Sequence, residues 1–329
     1  MKGVLFSYII LFVVLTLVGL ISIQKGMISY YGEKISIETR VDSMNSFYES
    51  IIVDCGKALD IISKRAISAT ISHVAMEGKS LEQANSTLAE LALNGTYNGT
   101  QEPLMASTIL SYWVGKTEDV GKLNGFDTGI VIGDLKIMPY DSWNLLVSVE
   151  ISINITDQRG VASLNRTVEV DQLTSIEGFE DPIYSLNTLG RVTNIIIRSP
   201  YWGNFTQFNG TSWDIDNLKK DIDNSYYSPS VKGASFLDRL EGKLEVQDKY
   251  KPQTSSVIGL ESFVNKETLI NFGIAVDMEK TNIDHLYFSA NSHQGRKVLG
   301  LESTSFRIDT ELCGSQSHAD VYGVSSLII

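Results

Sequence analysis

The run from Val4 to Ile23 is twenty residues long, uncharged and mostly apolar, and it restricts what this chain can become more than any other stretch does. A helix rising about 1.5 Å per residue needs about 20 such residues to cross the roughly 30 Å hydrocarbon core of a bilayer. The run exceeds the ~7–15-residue apolar stretch of a cleaved signal peptide, and no A-x-A-type cleavage site follows it. Residues 1–26 are therefore read as a transmembrane anchor, with membrane lipid as its first partner.

Sidedness comes from asparagine. Seven Asn-x-Thr triplets, at Asn85, Asn94, Asn98, Asn154, Asn165, Asn204 and Asn209, lack Pro in the middle position, so each is an N-glycan acceptor by sequence. Seven with Thr and none with Ser is far from chance for a chain of this composition. Glycans are added outside the cytoplasm, so the expected topology is single-pass in the cell membrane with the C-terminal domain extracellular. Charge counting is weaker, because Lys2 on one flank of the run is balanced by Lys25 on the other.

The remaining 300 or so residues suffice for one large or two medium domains. Apolar residues make up 43 % of the chain, with fourteen Tyr and four Trp, which excludes a disordered tract. A formal charge of −12 with no basic cluster argues against nucleic acid, whose phosphates it would repel. The two cysteines, Cys55 and Cys313, are either a candidate disulfide or two buried thiols. As a bridge in an oxidising exterior they would contribute roughly 5 kcal/mol in the chain-entropy model.

The expected fold class is α+β. After the anchor, Val41, Met44, Tyr48, Ile51, Ile52, Cys55, Leu59, Ile62, Ala66, Ala69 and Val74 recur at steps of three and four, the period of an amphipathic helix. No Pro interrupts residues 4–77, so anchor and stalk are expected as one helix of about 110 Å at 1.5 Å per residue. Ser80-Leu81-Glu82-Gln83 reads as a capping box opening a second helix to Leu93, and a third is expected over Pro103–Gly115. Together residues 27–125 form a helical stalk and base.

From Gly129 the period changes to two. Gly129–Met138, Trp143–Thr156 and Val161–Ser175 are expected as an antiparallel meander occupying residues 126–176. Residues 177–329 are the second part of a β-rich head, entered through the Gly/Pro-punctuated connector Ile176–Asn187. There the pattern predicts strands at Val192–Arg198, His285–Ser289 and Val298–Ile308, and helices at Ile215–Asn224, Ser235–Glu241 and Leu260–Asn265. The Gly/Ser-rich tail carries too few apolar residues to anchor anything.

No P-loop, Gly-x-Ser-x-Gly elbow, Gly-x-Gly-x-x-Gly or His-Glu-x-x-His is present, so no catalytic, cofactor-binding or metal-ligating residue is assigned and the chain is read as not an enzyme. Asp284-His285 with His293, or His318 with Asp320, would hold a metal only if folding gathered them. The densest aromatic stretch, Tyr201–Trp213, holds two of the sequons and suits either core packing or stacking on a partner.

Lys2-Gly3 before the apolar run, the continuation of that run into a long helix, and a glycosylated β-rich head resemble archaeal membrane-anchored surface proteins of the type IV pilin-like group. The resemblance implies a prepilin-peptidase cut after Gly3, leaving Val4 as the new N-terminus, and pilus-type or other membrane and surface proteins as partners. Tyr8 stands at the fifth position after that cut, where the family carries an acidic residue. The expected role is a single-pass cell-surface glycoprotein with a structural or adhesive, minor-pilin-like function. The alternative is an extracellular ligand-binding subunit working with a membrane partner, with an ectoenzyme third.

Overall fold

The computed structural model describes residues 2–251 and 256–329, with side chains from Tyr8 onward apart from those of residues 9, 28, 29, 32 and 33. The chain is α+β. In order it forms α1 (Lys2–Glu77), α2 (Ala84–Asn94), the hairpin β1 (Thr96–Tyr97) and β2 (Thr100–Gln101), α3 (Leu110–Leu123), and three long strands, β3 (Phe126–Pro139), β4 (Asn144–Asp157) and β5 (Ser163–Ser175). There follow α4 (Pro182–Asn187), the hairpin β6 (Gln207–Phe208) and β7 (Trp213–Asp214), α5 (Asp216–Asn224), β8 (Tyr227–Ser230), α6 (Phe236–Leu240) and β9 (Gly259–Ser262). The chain closes with α7 (Lys266–Asn271), α8 (Asp284–Tyr287), β10 (Leu312–Cys313), β11 (Gln316–Ser317) and α9 (His318–Val321).

The single helix expected from the absence of Pro is present, and it ends where Gly78 takes a positive φ of 63° that stops the helical ladder. Ile10–Met27 has a mean hydropathy of 2.0 with none of it buried, which is long and apolar enough for a membrane span and equally meets the requirement of a signal sequence. The stripe buries Met44, Tyr48, Ile51, Cys55, Leu59, Ile62, Ala66, Ala69 and Val74, while Ile52 at its edge is half-buried.

Two compact units divide the chain. The first takes residues 1–54, 114–131 and 151–168. In it Phe47 stacks on Phe126 with centroids 5.6 Å apart, and Arg40 lies 4.1 Å over the same ring while pairing with buried Asp157 and donating to the Gly125 carbonyl at 2.6 Å. The second takes residues 55–113, 132–150 and 169–329. One of its apolar clusters includes Phe205, Leu218, Phe263, Ile283, Val298, Phe306, Ala319, Tyr322, Val324 and Leu327.

The meander forms as expected, in the order β3-β4-β5, with Leu145, Val147, Val149, Ile151, Ile153 and Ile155 of the central strand buried. Asp141 fixes one turn by accepting from Trp143 N at 2.7 Å and Asn144 N at 2.8 Å. The helices at 215–224 and 235–241 are also found, as α5 and α6.

Other expectations fail for identifiable reasons. α2 starts at Ala84 with Gln83 at its N-cap, so Ser80 caps nothing, and the third helix is displaced to Leu110–Leu123 behind a single 3-10 turn at Pro103–Met105. Leu260–Asn265 is not a helix: its first residues belong to β9, which pairs antiparallel with β8, and all four β9 residues are buried. His285–Ser289 is not a strand, since Asp284–Tyr287 closes one helical turn, and Val192–Arg198 and Val298–Ile308 contribute only isolated bridges. The tail does anchor: Ala319, Tyr322, Val324 and Leu327 are core residues.

Candidate functional site

Two linked networks of buried polar side chains occupy the second unit, and local capping positions both. Asp181 caps α4 by accepting from Ile183 N at 3.0 Å through Oδ1, which leaves Oδ2 facing inward. Ser235 and Asp238 form a capping box on α6, directing the next residue, Arg239, into the interior, where it is fully buried. Its guanidinium donates to Asp181, to Asp284 Oδ2 at 2.9 Å, to the Leu260 carbonyl, and to the Ala234 carbonyl at 3.2 Å. Tyr227 Oη donates to Asp181 at 2.9 Å and Ser262 Oγ to Asp284 at 3.0 Å. Burial pushes the Asp181 carboxyl up, and Asp284 adds to that, with Arg239 opposing.

One residue along β9 and one along α8 lies the second network. Glu261, His285, Asp309, Cys313, His318 and Tyr322 are all at least nine-tenths buried. A Cβ on Gly259 would overlap the Gly233 carbonyl in the loop after β8 and crowd the Ser230 carbonyl at the end of β8, so β9, which carries Glu261, packs closely against this turn. Tyr322 Oη donates to Glu261 Oε1 at 2.9 Å, so Oε2 is the oxygen left over. That oxygen sits 3.5 Å from His285 Nε2 and 3.5 Å from His318 Nε2, out of hydrogen-bond alignment with both. His318 Nδ1 meets Asp309 Oδ1 at 2.8 Å, and Asp309 is itself held by Thr281 Oγ1 at 2.9 Å and Glu311 N at 2.9 Å.

Cys313 Sγ lies 3.7 Å from Ser230 Oγ, and ligand atoms of Cys313, Glu261 and His318 all fall within 4.8 Å of one another. Burial disfavours the charged form of His318, but Asp309, Cys313 and Glu261 outweigh it and push its pKa up to about 12. Against the opposing effect of burial, the two imidazoles hold the Glu261 carboxyl well below the usual range, and His318 brings the Cys313 thiol down. Thiol, imidazole and carboxylate stand in the order of a nucleophile, base and orienting acid. With Cys313 only 8 % exposed, however, the thiol is shielded from solvent.

A cavity of about 420 Å³ opens elsewhere in the same unit, lined by Asp223, Asn265, Lys266, Asn282, Ser303, Thr304 and neighbours, and by none of the second network. Lys266 Nζ donates to the carbonyls of Met278 (3.2 Å), Lys280 (2.6 Å) and Ser305 (3.3 Å), and burial pushes its pKa down to about 8.

Of the sequon asparagines, Asn94, Asn98, Asn154, Asn165, Asn204 and Asn209 are exposed and Asn85 is half-buried. The aromatic stretch divides: Phe205 joins the core beside Tyr322 at 4.7 Å, while Trp202 and Phe208 stay about half exposed. Cys55 and Cys313 are not bridged. Cys55 packs in the apolar stripe of α1, Cys313 beside polar Ser230 and His318, and each is a buried thiol. Lys2 and Gly3 are helical, but the side chain of Lys2 lies outside the described residues.

Neither metal-capable pairing considered from the sequence forms. His293 binds Glu311 at 2.6 Å near the surface, and Asp320 caps α9 through Ser317 instead of joining His318. Glu261, Asp309 and Tyr322 were outside any sequence motif. The only local hint is a carboxylate in the middle of the apolar Ile258–Val264 run. The chain matches no protein-family model, no curated protein and no solved structure.

Proposed function

We propose that this protein is a single-pass cell-surface glycoprotein whose extracellular head has a structural or adhesive role, a minor pilin being one form of it. The observation that carries the reading is the combination of one unburied apolar helix at Ile10–Met27 with exposed asparagines in six of seven sequons. An anchor that finds no partner inside the protein calls for lipid or another apolar helix, and surface asparagines leave room for glycans. The exposed hairpin residues Phe208 and Trp213, with rings 5.2 Å apart on either side of the Asn209 sequon, add an adhesive contact.

Protease treatment of intact cells is expected to degrade the head, and mass spectrometry to find glycans on several of the seven asparagines. Full protection in intact cells would overturn the topology. The mature N-terminus separates the forms: a chain starting at Val4 and recovered mainly in sheared filaments would make this a major pilin, whereas an intact anchor supports a surface protein held singly in the membrane.

The cavity beside Lys266 favours a second reading, a ligand-binding subunit, since its volume falls in the range of small-molecule sites. Capture from membranes distinguishes the two: pilus assembly proteins accompany the first, a transporter the second.

A further inference from the structure

We propose that Glu261, Cys313 and His318 form a buried site for one Zn²⁺ ion, with Asp309 and Tyr322 orienting the histidine and the carboxylate and His285 facing the same carboxylate oxygen. The distances point to an ion. A carboxylate and an imidazolium buried together without one close to a charge-assisted hydrogen bond of about 2.7–2.9 Å. In this cluster two imidazole nitrogens stand 3.5 Å from a single carboxylate oxygen, and neither is aligned to bond it. Bonds of about 2.0–2.1 Å to a tetrahedral Zn²⁺ place oxygen and nitrogen ligands about 3.4 Å apart, so the spacing is that of ligands around an ion.

The unpartnered atoms are the ones a metal uses. Among the described residues Glu261 Oε2, His318 Nε2 and both ring nitrogens of His285 are buried without a hydrogen bond, although such groups are costly to leave unsatisfied. Each remaining atom of two ligands is committed elsewhere: Glu261 Oε1 to Tyr322, and His318 Nδ1 to Asp309. The carboxylate on Nδ1 fixes the tautomer that presents Nε2, which is the orienting arrangement of histidine ligands generally. Cys313 supplies a thiolate within reach of Glu261 and His318. One sulfur, one imidazole and one carboxylate oxygen select Zn²⁺ over Ca²⁺ or Mg²⁺, which take oxygen. Three protein ligands buried together, with His285 Nε2 3.5 Å from the carboxylate oxygen as the nearest further nitrogen, suit an ion held for structure. It would tie β9, β10 and α9 together, elements too short to hold one another by hydrogen bonds alone.

The test uses the full chain in detergent micelles. Metal content is measured after purification, the ion is stripped with chelator, and Zn²⁺ or Co²⁺ is titrated back. Near one Zn²⁺ per chain is expected, with a thiolate-to-cobalt charge-transfer band in the Co²⁺ form. Cys313→Ser, close to isosteric, should abolish that band and weaken Zn²⁺ by roughly 100-fold or more, and Asp309→Asn by about 10–100-fold. His293→Gln, outside the cluster, should change nothing. A folded, stripped wild-type protein that takes up no Zn²⁺ overturns the proposal. So does cobalt bound without the thiolate band, or uptake unchanged by Cys313→Ser.

Discussion

Replacing Arg239 with Met tests whether the Asp181–Arg239–Asp284 triad holds the second unit together through charge or merely fills space. The guanidinium is fully buried, and Met retains much of its volume while removing every donor. Two buried carboxylates then face each other without a cation. Loss of one partner from a buried ion pair costs about 3–5 kcal/mol. The carbonyls of Leu260 and Ala234 lose their side-chain donor as well, at about 1 kcal/mol or more. A loss near 5 kcal/mol is a large share of the roughly 5–15 kcal/mol of a folded domain, and at about 2–4 °C per kcal/mol it lowers the melting midpoint by about 10–20 °C.

The pH dependence identifies the cause. Asp181 already has its carboxyl raised by burial, and without Arg239 it climbs further, so acid neutralises the defect by protonating it. Near-ultraviolet circular dichroism melts of the full chain in micelles should show a wide gap between wild type and Arg239→Met at pH 7 that narrows toward pH 4. Adding Asp181→Asn and Asp284→Asn should recover most of the loss at neutral pH, because a neutral triad has no charge to strand. A gap below about 1 kcal/mol, or one of equal width at both pH values, would refute the electrostatic reasoning and leave only packing.

Three further outcomes are expected. Burial pushes the Asp221 pKa up to about 7, against the hydrogen bond from Ser199. A carboxyl raised in the folded state is no burden below its unfolded pKa and withdraws stability as pH climbs toward 7, so Asp221→Asn should stabilise at pH 8 and have little effect near pH 4 in the same melts. Gly259→Ala forces a methyl onto the Gly233 and Ser230 carbonyls and should cost about 1–3 kcal/mol or more in urea unfolding, and a neutral result would show that β8 and β9 separate easily. Leu327→Ala removes a side chain only 3 % exposed in the core and should cost about 2–5 kcal/mol, whereas no loss would return the tail to the non-anchoring role its composition suggests.

What could be read from the chain alone follows from where a local period survives. The meander was legible because Leu145, Val147, Val149, Ile151, Ile153 and Ile155 keep a strict step of two along β4. Helix α1 was legible from its three/four stripe, and α6 from Ser235-Phe236-Leu237-Asp238. β9 was not, because a strand buried on both faces loses alternation and reads like any short apolar run. His285 was misplaced because the turn it occupies is set by Asp284 reaching Arg239, 45 residues away. The Glu261 network was illegible for the same reason on a larger scale: its members come from β9, α8, β10, α9 and the loop at Asp309, and no spacing rule connects them. Exposure of the sequon asparagines needed no such assembly, since Asn, Gly and Thr mark turns and strand surfaces by their own chemistry.

The burial of Ala319, Tyr322, Val324 and Leu327 bears on how the protein is made. Glu261 and Phe263 leave the ribosome several seconds before Tyr322 at about 5–20 residues per second, and until then their neighbours in the native interior do not exist. During that interval the nascent chain presents apolar surface and a stranded carboxylate to its surroundings. Contacts of such high sequence separation also form more slowly than local ones. A chain cut after Glu311 would therefore stay indefinitely in the state that the intact one occupies only in passing, and quality-control proteases would be expected to remove it.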